Sequence, residues 1–181
     1  MVPDPYCSPQ NNSIAGHKVG YYASWATLRA CDRVAPNQIY TMGLTHVNFA
    51  FVGFDPRTFI PKPQFAMDDT LYSEFTSLKS PTLKTWVSVG GWDFSNSPET
   101  RRAFSTMCRS KANRAKFITG LQKFMERYGF QGVDLDWEFP GSTRDAANLV
   151  LLVKEMRTTW GDTFGISIAV SPFVGHLSSP P

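Results

Sequence analysis

The chain has 181 residues, 42% of them hydrophobic and 18% charged, and its formal net charge is +3. This size and composition indicate one globular domain with a sizeable core and exclude an intrinsically disordered chain. The charge is too small to indicate a nucleic acid or an anionic membrane as partner, and no apolar run approaches the roughly 18 residues that span a bilayer.

Residues 1–17 form a segment rich in Pro, Asn and Ser, which we expect to be a linker or tail before a domain over residues 18–181. The segment has neither the basic start nor the apolar core of a secretion signal, so we expect either an intracellular chain or part of a longer precursor. Cys7, Cys31 and Cys108 are either free thiols or include a Cys31–Cys108 disulfide, and the sequence does not decide between them.

Strands and helices alternate along the rest of the chain. Runs rich in β-branched and aromatic residues predict strands, and amphipathic runs predict helices. The predicted strands cover residues 18–24, 44–54, 83–91, 133–139 and 164–171. The predicted helices cover residues 35–43, 71–78, 97–108, 110–128 and 142–160.

Capping residues mark the ends of the later helices. Ser97, which precedes a proline, and Ser142, three residues before Asp145, predict helix starts. Gly129 and Gly161 predict helix ends. The predicted buried face of the last helix consists of Ala146, Leu149, Val150, Val153, Met156 and Trp160.

The alternation of nearly continuous apolar strands with helices predicts a parallel sheet covered by helices. The fold class is therefore α/β, of the (β/α)8 TIM-barrel type, here incomplete with about five βα units. Functional side chains of such barrels lie at the carboxyl ends of the strands, so we expect the site at that edge.

Three carboxylates, those of Asp134, Asp136 and Glu138, lie two residues apart in the apolar stretch YGFQGVDLDWEFPG. Because side chains alternate along a strand, all three are predicted on one face. A buried carboxylate is costly unless it is paired, hydrogen-bonded or protonated, and neighbouring carboxylates do not ionise together cheaply. The opposite face then carries the apolar residues Val133, Leu135, Trp137 and Phe139.

The residues alone leave a catalytic site, a structural ion-pair network and a metal site open as interpretations of this row. A raised pKa in one member favours catalysis, because a general acid near neutral pH requires one. A metal site is disfavoured, since the histidines His17, His46 and His176 are scattered along the sequence.

The stretch GFQGVDLDWEFPG resembles the acidic signature D-G-x-D-x-D-x-E of glycoside hydrolase family 18, the chitinases. WVSVGGW, residues 86–92, is similar to the S-x-G-G motif of that family, and KVGYYASW and LTHVNFAF are similar to its first two strands. The segments CDRVAP and YGFQG look most like the fungal killer-toxin-like group. The resemblance implies an extracellular hydrolase of β-1,4-linked N-acetylglucosamine polymers that retains anomeric configuration and uses no cofactor and no metal.

By this resemblance Glu138 is the acid that protonates the leaving oxygen and later activates water. Family 18 is substrate-assisted, so the sugar's own acetamido group attacks the anomeric carbon. Asp136 would orient that group, and Asp134 would lie deeper and share a proton with Asp136. The family's leading aspartate is replaced by Gln131, which we expect to change support rather than chemistry.

We expect substrate-binding residues on the neighbouring strands. Ser88 is predicted to hydrogen-bond the deeper acid, or else is an ordinary strand-end hydroxyl. Gly90 and Gly91 either admit a sugar close to the backbone or make a turn. The candidate surfaces for stacking on pyranose rings are Tyr22, Trp25 and Trp92, of which Tyr22 is as readily explained by the core.

Competing functions remain open because the chain lacks counterparts of the family's sixth to eighth strands. The main prediction is a chitinase acting on chitin or chito-oligosaccharides. A glycan-cleaving endo-β-N-acetylglucosaminidase, a chitin-binding protein without turnover and an inactive truncated product are the alternatives. An open half-barrel would also expose an apolar strand edge. The sequence does not indicate the oligomeric state.

Overall fold

The computed structural model describes residues 16–171, which form one curved sheet with helices on its convex side. The strands are β1 (Val19–Ala23), β2 (His46–Phe54), β3 (Pro61–Pro63), β4 (Lys84–Gly90), β5 (Gly132–Asp136) and β6 (Gly165–Ile168). The helices are α1 (Asp68–Thr76), α2 (Trp92–Asn96), α3 (Ala103–Arg109), α4 (Lys111–Tyr128) and α5 (Thr143–Trp160). Two short 3-10 helices cover Ser24–Leu28 and Pro36–Gln38.

The sheet has the strand order β1-β2-β4-β5-β6, and each neighbouring pair in this order is parallel. The short strand β3 pairs antiparallel with β2 outside this order. Because successive strands are joined by helical connections, the carboxyl ends of the parallel strands meet at one edge of the sheet. The predicted parallel sheet is therefore confirmed in the described residues.

The two faces of the sheet differ in chemistry. On β5, Val133 and Leu135 are buried in an apolar core against the helices, and Trp137 stacks on Phe104 with ring centroids 5.3 Å apart. The alternate residues Asp134 and Asp136 project from the concave face. The concave face therefore carries the polar groups, as the alternation in the sequence predicts.

Local capping agrees with the sequence at three predicted helix ends. The Ser110 hydroxyl accepts a hydrogen bond from the Asn113 N–H, and Ser142 accepts one from the Asp145 N–H. Gly129 closes α4 with φ of +79°, in the left-handed region that glycine adopts without strain. Each cap satisfies backbone groups that a helix leaves without partners at its ends.

Other boundaries differ from the predictions. Ser97 caps the carboxyl end of the unpredicted helix α2, and α3 begins only at Ala103. The predicted helix over residues 35–43 is reduced to the 3-10 helix Pro36–Gln38. Capping residues mark helix starts only as a statistical preference, and a serine before proline serves equally well after a short helix.

The buried face of α5 agrees with the predicted one at Met156 and Trp160, and the predicted Leu149 and Val153 are partly buried against the core. Leu152, Met156 and Trp160 are buried, whereas Val150 and Ala146 are exposed. The sequence NLVLLV is apolar on several sides, so its periodicity does not define one face, and the packing of α5 against α3 and α4 selects it.

Cys31 is exposed and Cys108 is buried, and both thiols are free, so the possible disulfide between them is not formed. Cys7 and most of the predicted tail lie outside the described residues. No helix between residues 16 and 171 is long and apolar enough to cross a membrane.

Small residues make room for a tryptophan inside the curve of the sheet. A Cβ atom at Gly132 would lie 2.5 Å from the Trp86 indole, and one at Gly165 would lie 2.0 Å from it. Such distances are too short for any side chain, so both strands approach the Trp86 ring with bare backbone.

We predict that Gly132→Ala destabilises the fold by about 2 kcal/mol or more, because the added methyl overlaps the Trp86 ring and the neighbouring strand. Gly141→Ala is the matched control, since a Cβ there meets nothing within 4 Å. Urea denaturation measures both free energies of unfolding. Equal stability of the two variants would contradict the close packing at Gly132.

Candidate active site

Asp134 is the buried centre of the concave face. Its Oδ2 accepts hydrogen bonds from the Tyr21 hydroxyl at 2.9 Å and the Ser88 hydroxyl at 2.8 Å. Its Oδ1 accepts one from the Ser167 hydroxyl at 2.6 Å. These donors come from β1, β4 and β6, so one carboxylate joins three other strands of the sheet. The hydrogen bond predicted between Ser88 and the deeper acid is present.

Asp136 lies one step further toward the carboxyl edge and is also buried. Burial, the charges of Glu138 and Asp134, and a hydrogen bond with Glu138 raise the pKa of its carboxyl from 3.8 to about 7. The causes act in the same direction, because a buried charge and a repelling neighbour both disfavour ionisation. The hydrogen-bonded partner of Asp136 is therefore Glu138, while Asp134 acts on it through its charge.

Glu138 follows the end of β5 and is half-buried. Its hydrogen bond with Asp136 puts its carboxyl on the same side of the chain as that acid. Phe139 was predicted on the opposite, apolar side, but it lines the same cleft as Asp136 and Glu138. This prediction was wrong because β5 ends at Asp136, after which strand alternation no longer applies.

A cleft of about 620 Å³ opens above these acids. Asp136 and Glu138 form part of its wall, together with Tyr21, Trp25 and Trp92. Trp25 is 40% exposed and Trp92 is 60% exposed. These two indoles offer flat apolar faces beside the carboxyl pair.

The cleft continues past Glu138 into a second hollow of about 530 Å³. This hollow shares Trp25, Trp92 and Glu138 with the first and adds Gln64 and Asp93. The Gln64 amide donates a hydrogen bond to the Gly90 carbonyl at 2.9 Å, so its side chain is held at the wall. Glu138 therefore stands where the two hollows meet.

Tyr22 does not face the cleft, which corrects its prediction as a substrate-binding residue. Its side chain is only 5% exposed, packs on Phe49 and Phe75, and donates its hydroxyl hydrogen bond to the Val34 carbonyl. Tyr21 faces the acids instead. The sequence places two tyrosines side by side and does not tell which one points inward, since either phase of the strand buries one ring.

Gly90 and Gly91 allow the backbone to turn tightly against β5. Gly90 has φ of +114°, and a Cβ there would lie 2.3 Å from the Asp136 carbonyl oxygen. Gly91 has φ of +85°, and a Cβ there would lie 2.8 Å from the Phe51 ring. The Gly91 N–H donates to the Asp136 carbonyl at 2.9 Å. Of the two predicted explanations, the turn accounts for both glycines.

Gln131 lies at the amino end of β5, away from the carboxyl edge where the acids meet the cleft. Its Oε1 accepts a hydrogen bond from the Thr85 N–H at 3.2 Å, which ties β5 to β4. His46 lies at the same end, where its ring packs edge-on to Trp86 at 4.8 Å. Among residues 16–171 no group of His, Cys, Asp and Glu side chains is arranged to hold a metal ion.

The model of the glycosyl hydrolases family 18 matches residues 17–179. The chain belongs to this family. The predicted fold class is confirmed, because the chain matches part of the length of solved family 18 chitinases, which are TIM barrels.

Two curated relatives illustrate the likeness of this family 18 chain in sequence. An endochitinase of Manduca sexta is 33% identical over 151 residues, which cover 77% of this chain and 26% of that protein. The killer toxin subunits alpha/beta of Kluyveromyces lactis are 34% identical over 126 residues, which cover 69% of this chain and 10% of that protein.

Two solved structures illustrate the likeness in fold. A mutant of Ostrinia furnacalis Group II chitinase catalytic domain 2, in complex with an N-acetylglucosamine oligomer, has a TM-score of 0.80 at 28% identity and covers 90% of this chain and 45% of that one. The chitinase-like agglutinin of Robinia pseudoacacia has a TM-score of 0.71 at 28% identity, with coverages of 84% and 46%. This family 18 chain spans less than half the length of each of these proteins.

The raised pKa of Asp136 predicts a pH dependence of stability. Between pH 3.8 and about 7 the unfolded chain loses a proton that the folded chain keeps. The stability contributed by protonated Asp136 is therefore fully present below the ordinary pKa and is lost as the pH rises through the folded-state pKa. We expect the melting temperature to fall over this range, and Asp136→Asn to flatten the fall.

Asp162→Asn is the control for this measurement, because the Asp162 side chain is fully exposed and its removal leaves the acid pair intact. Melting curves recorded across the pH range compare the three proteins. The same pH slope in both variants would contradict the raised pKa of Asp136.

Proposed function

We propose that this domain is the amino-terminal part of a chitinase-type glycoside hydrolase. Its substrate would be a polymer or oligomer of β-1,4-linked N-acetylglucosamine, cleaved with retention of anomeric configuration. The observation that carries the proposal is the adjacent carboxyls of Asp136 and Glu138, with the pKa of Asp136 raised to about 7, in a cleft walled by Trp25 and Trp92.

Glu138 is the proposed acid and base. It stands where the two hollows of the cleft meet, so a chain lying along the cleft would bring a glycosidic oxygen to it. Glu138 donates a proton to that oxygen as the bond to the anomeric carbon breaks, and it later accepts a proton from the attacking water. The donated proton is the one held by Asp136, one hydrogen bond away, which passes to Glu138 before the glycosidic bond breaks. Glu138 is then left without a proton and can take one from water.

Asp136 is the proposed partner of the sugar's 2-acetamido group. In the substrate-assisted reaction the acetamido carbonyl oxygen attacks the anomeric carbon, and an oxazolinium ring forms while the leaving group departs. Asp136 accepts the acetamido N–H hydrogen bond and, once it has passed its proton on, its negative charge stabilises the positive ring. Water then opens the ring from the opposite side, so two inversions leave the original configuration.

Asp134 supports this exchange without touching the sugar. Its two oxygens already accept hydrogen bonds from the hydroxyls of Tyr21, Ser88 and Ser167, which hold the carboxyl in place. The negative charge of Asp134 raises the pKa of Asp136 and keeps the proton in the outer pair. Asp134 is therefore a positioning and electrostatic residue, not the proton donor.

The comparisons and the sequence support two further proposals, one about the substrate and one about the subgroup of the family. The solved relative in complex with an N-acetylglucosamine oligomer supports a chito-oligosaccharide as substrate. The killer toxin relative and the segments CDRVAP and YGFQG support membership of the killer-toxin-like group. Both are consistent with action outside the cell, where chitin is met.

The second candidate is a chitin-binding protein without turnover. It is favoured by the likeness to a chitinase-like agglutinin. The retained acid Glu138 argues against this candidate, since binding alone has no use for a shared proton.

We predict that the purified chain releases chromophore from a chromogenic chitotriose substrate and that Glu138→Gln lowers kcat by about a thousandfold. Binding of unlabelled chitotriose, followed by calorimetry, should change little in this variant, because glutamine keeps the size and hydrogen bonds of the side chain. Glu99→Gln is the matched control on an exposed turn and should keep the wild-type rate.

Two results separate the candidates. Binding to chitin beads without any turnover by the wild-type chain would contradict the enzyme and support the binding protein. Turnover that survives Glu138→Gln unchanged would contradict the assignment of Glu138 as the acid.

A further inference from the structure

Helix α2 forms hydrogen bonds with both the backbone N–H and the backbone carbonyl of Glu138. The Glu138 N–H donates a hydrogen bond to the Ser95 hydroxyl oxygen at 3.0 Å. The side-chain amide of Asn96 donates to the Glu138 carbonyl at 3.4 Å and to the Trp92 carbonyl at 2.8 Å. One short helix therefore contacts both backbone polar groups of the candidate acid and carries the indole of Trp92 at its first residue.

We propose that Ser95 is a positioning residue that holds the Glu138 carboxyl beside Asp136, so that α2 couples the sugar-stacking surface to the acid. The proposal rests on the proposed function only for its catalytic consequence. The placement of Glu138 by Ser95 does not depend on a bound substrate.

The need for such a residue follows from the end of β5. Within the strand, hydrogen bonds to neighbouring strands fix the backbone up to Asp136, whose carbonyl accepts from the Gly91 N–H at 2.9 Å. Glu138 lies beyond this ladder, and its side chain is half-buried in an open cleft. Ser95 is buried, with 8% of its surface exposed, and its hydroxyl takes the place of the next strand partner.

We expect loss of the hydrogen bond between the Glu138 N–H and the Ser95 hydroxyl to displace the Glu138 carboxyl, and not only to destabilise α2. When the Glu138 N–H loses the Ser95 hydroxyl as its acceptor, the backbone at Glu138 can rotate. The Glu138 carboxyl then turns toward solvent and away from Asp136. The titratable groups that face Asp136 are Asp134 on the same strand, Tyr21 on β1 and Glu138 itself. Only the contribution of Glu138 depends on Ser95, because Asp134 and Tyr21 lie within the ladder.

The test compares Ser95→Ala, Ser95→Thr and Thr100→Val by the pH dependence of the melting temperature. In Ser95→Ala the midpoint of the fall in melting temperature should move to lower pH by about half a unit or more, because Asp136 loses a repelling neighbour and a hydrogen bond. Ser95→Thr keeps the hydroxyl and should restore the wild-type midpoint. Thr100→Val removes a hydroxyl bond to the Phe94 carbonyl of the same helix and should lower the melting temperature without moving the midpoint.

Turnover gives a second readout. With a chromogenic chitotriose, Ser95→Ala should lower kcat about tenfold with KM changed less than about twofold, because a misplaced acid acts on the reaction step and not on binding. Thr100→Val should keep the wild-type kcat. Both effects of Ser95→Ala should be reversed in Ser95→Thr.

Each outcome decides the proposal. An unmoved midpoint in Ser95→Ala, or a midpoint moved equally by Thr100→Val, overturns the positioning role whether or not the wild-type chain has activity. If the midpoint moves in Ser95→Ala but the wild-type chain shows no turnover, the positioning role of Ser95 is supported and the proposed enzyme activity is contradicted. An active wild type with an unchanged kcat in Ser95→Ala overturns the coupling to the acid.

Discussion

The carboxylate of Asp134 is the interaction on which the concave face depends. A buried charge needs hydrogen-bond donors on both oxygens, and here Tyr21, Ser88 and Ser167 supply them from three different strands. The register between strands meets this demand directly, because Ser88 and Ser167 are the backbone partners of Asp134 on either side. Removal of any one donor would leave a buried acceptor short of a partner, so the strand positions and the polar centre stabilise one another.

Burial of charge then orders the three acids along β5. The innermost carboxylate is satisfied by hydroxyls, so the cost of adding a second charge falls on Asp136, whose pKa rises to about 7. Glu138 lies beyond the strand and next to the cleft, within one hydrogen bond of the proton on Asp136. General acid catalysis near neutral pH requires a group that holds a proton at that pH, and here Asp136 holds the proton that Glu138 delivers in the cleft. The family membership of the chain agrees with this use of the row.

Much of this arrangement could be predicted from the sequence. Period-two alternation predicted that Asp134 and Asp136 share a face, and the spacing of strands and helices predicted the parallel sheet. The inward tyrosine could not be predicted, because Tyr21 and Tyr22 suit either phase of β1 until the strand packs on Phe49 and Phe75. Ser167, Ser95 and helix α2 were missed for the same physical reason: each acts through a partner 33 or more residues away, and no local pattern records such contacts.

The proposed acid catalysis depends on a single proton that Asp136 holds near neutral pH. The most direct measurement is a carboxyl-carbon NMR titration of the wild-type chain labelled at its aspartates, with Asp136 assigned by its replacement with asparagine. We predict that the Asp136 resonance titrates with a midpoint near 7, well above the ordinary aspartate value of 3.8. A midpoint near 3.8 would contradict the proton held by Asp136 at neutral pH.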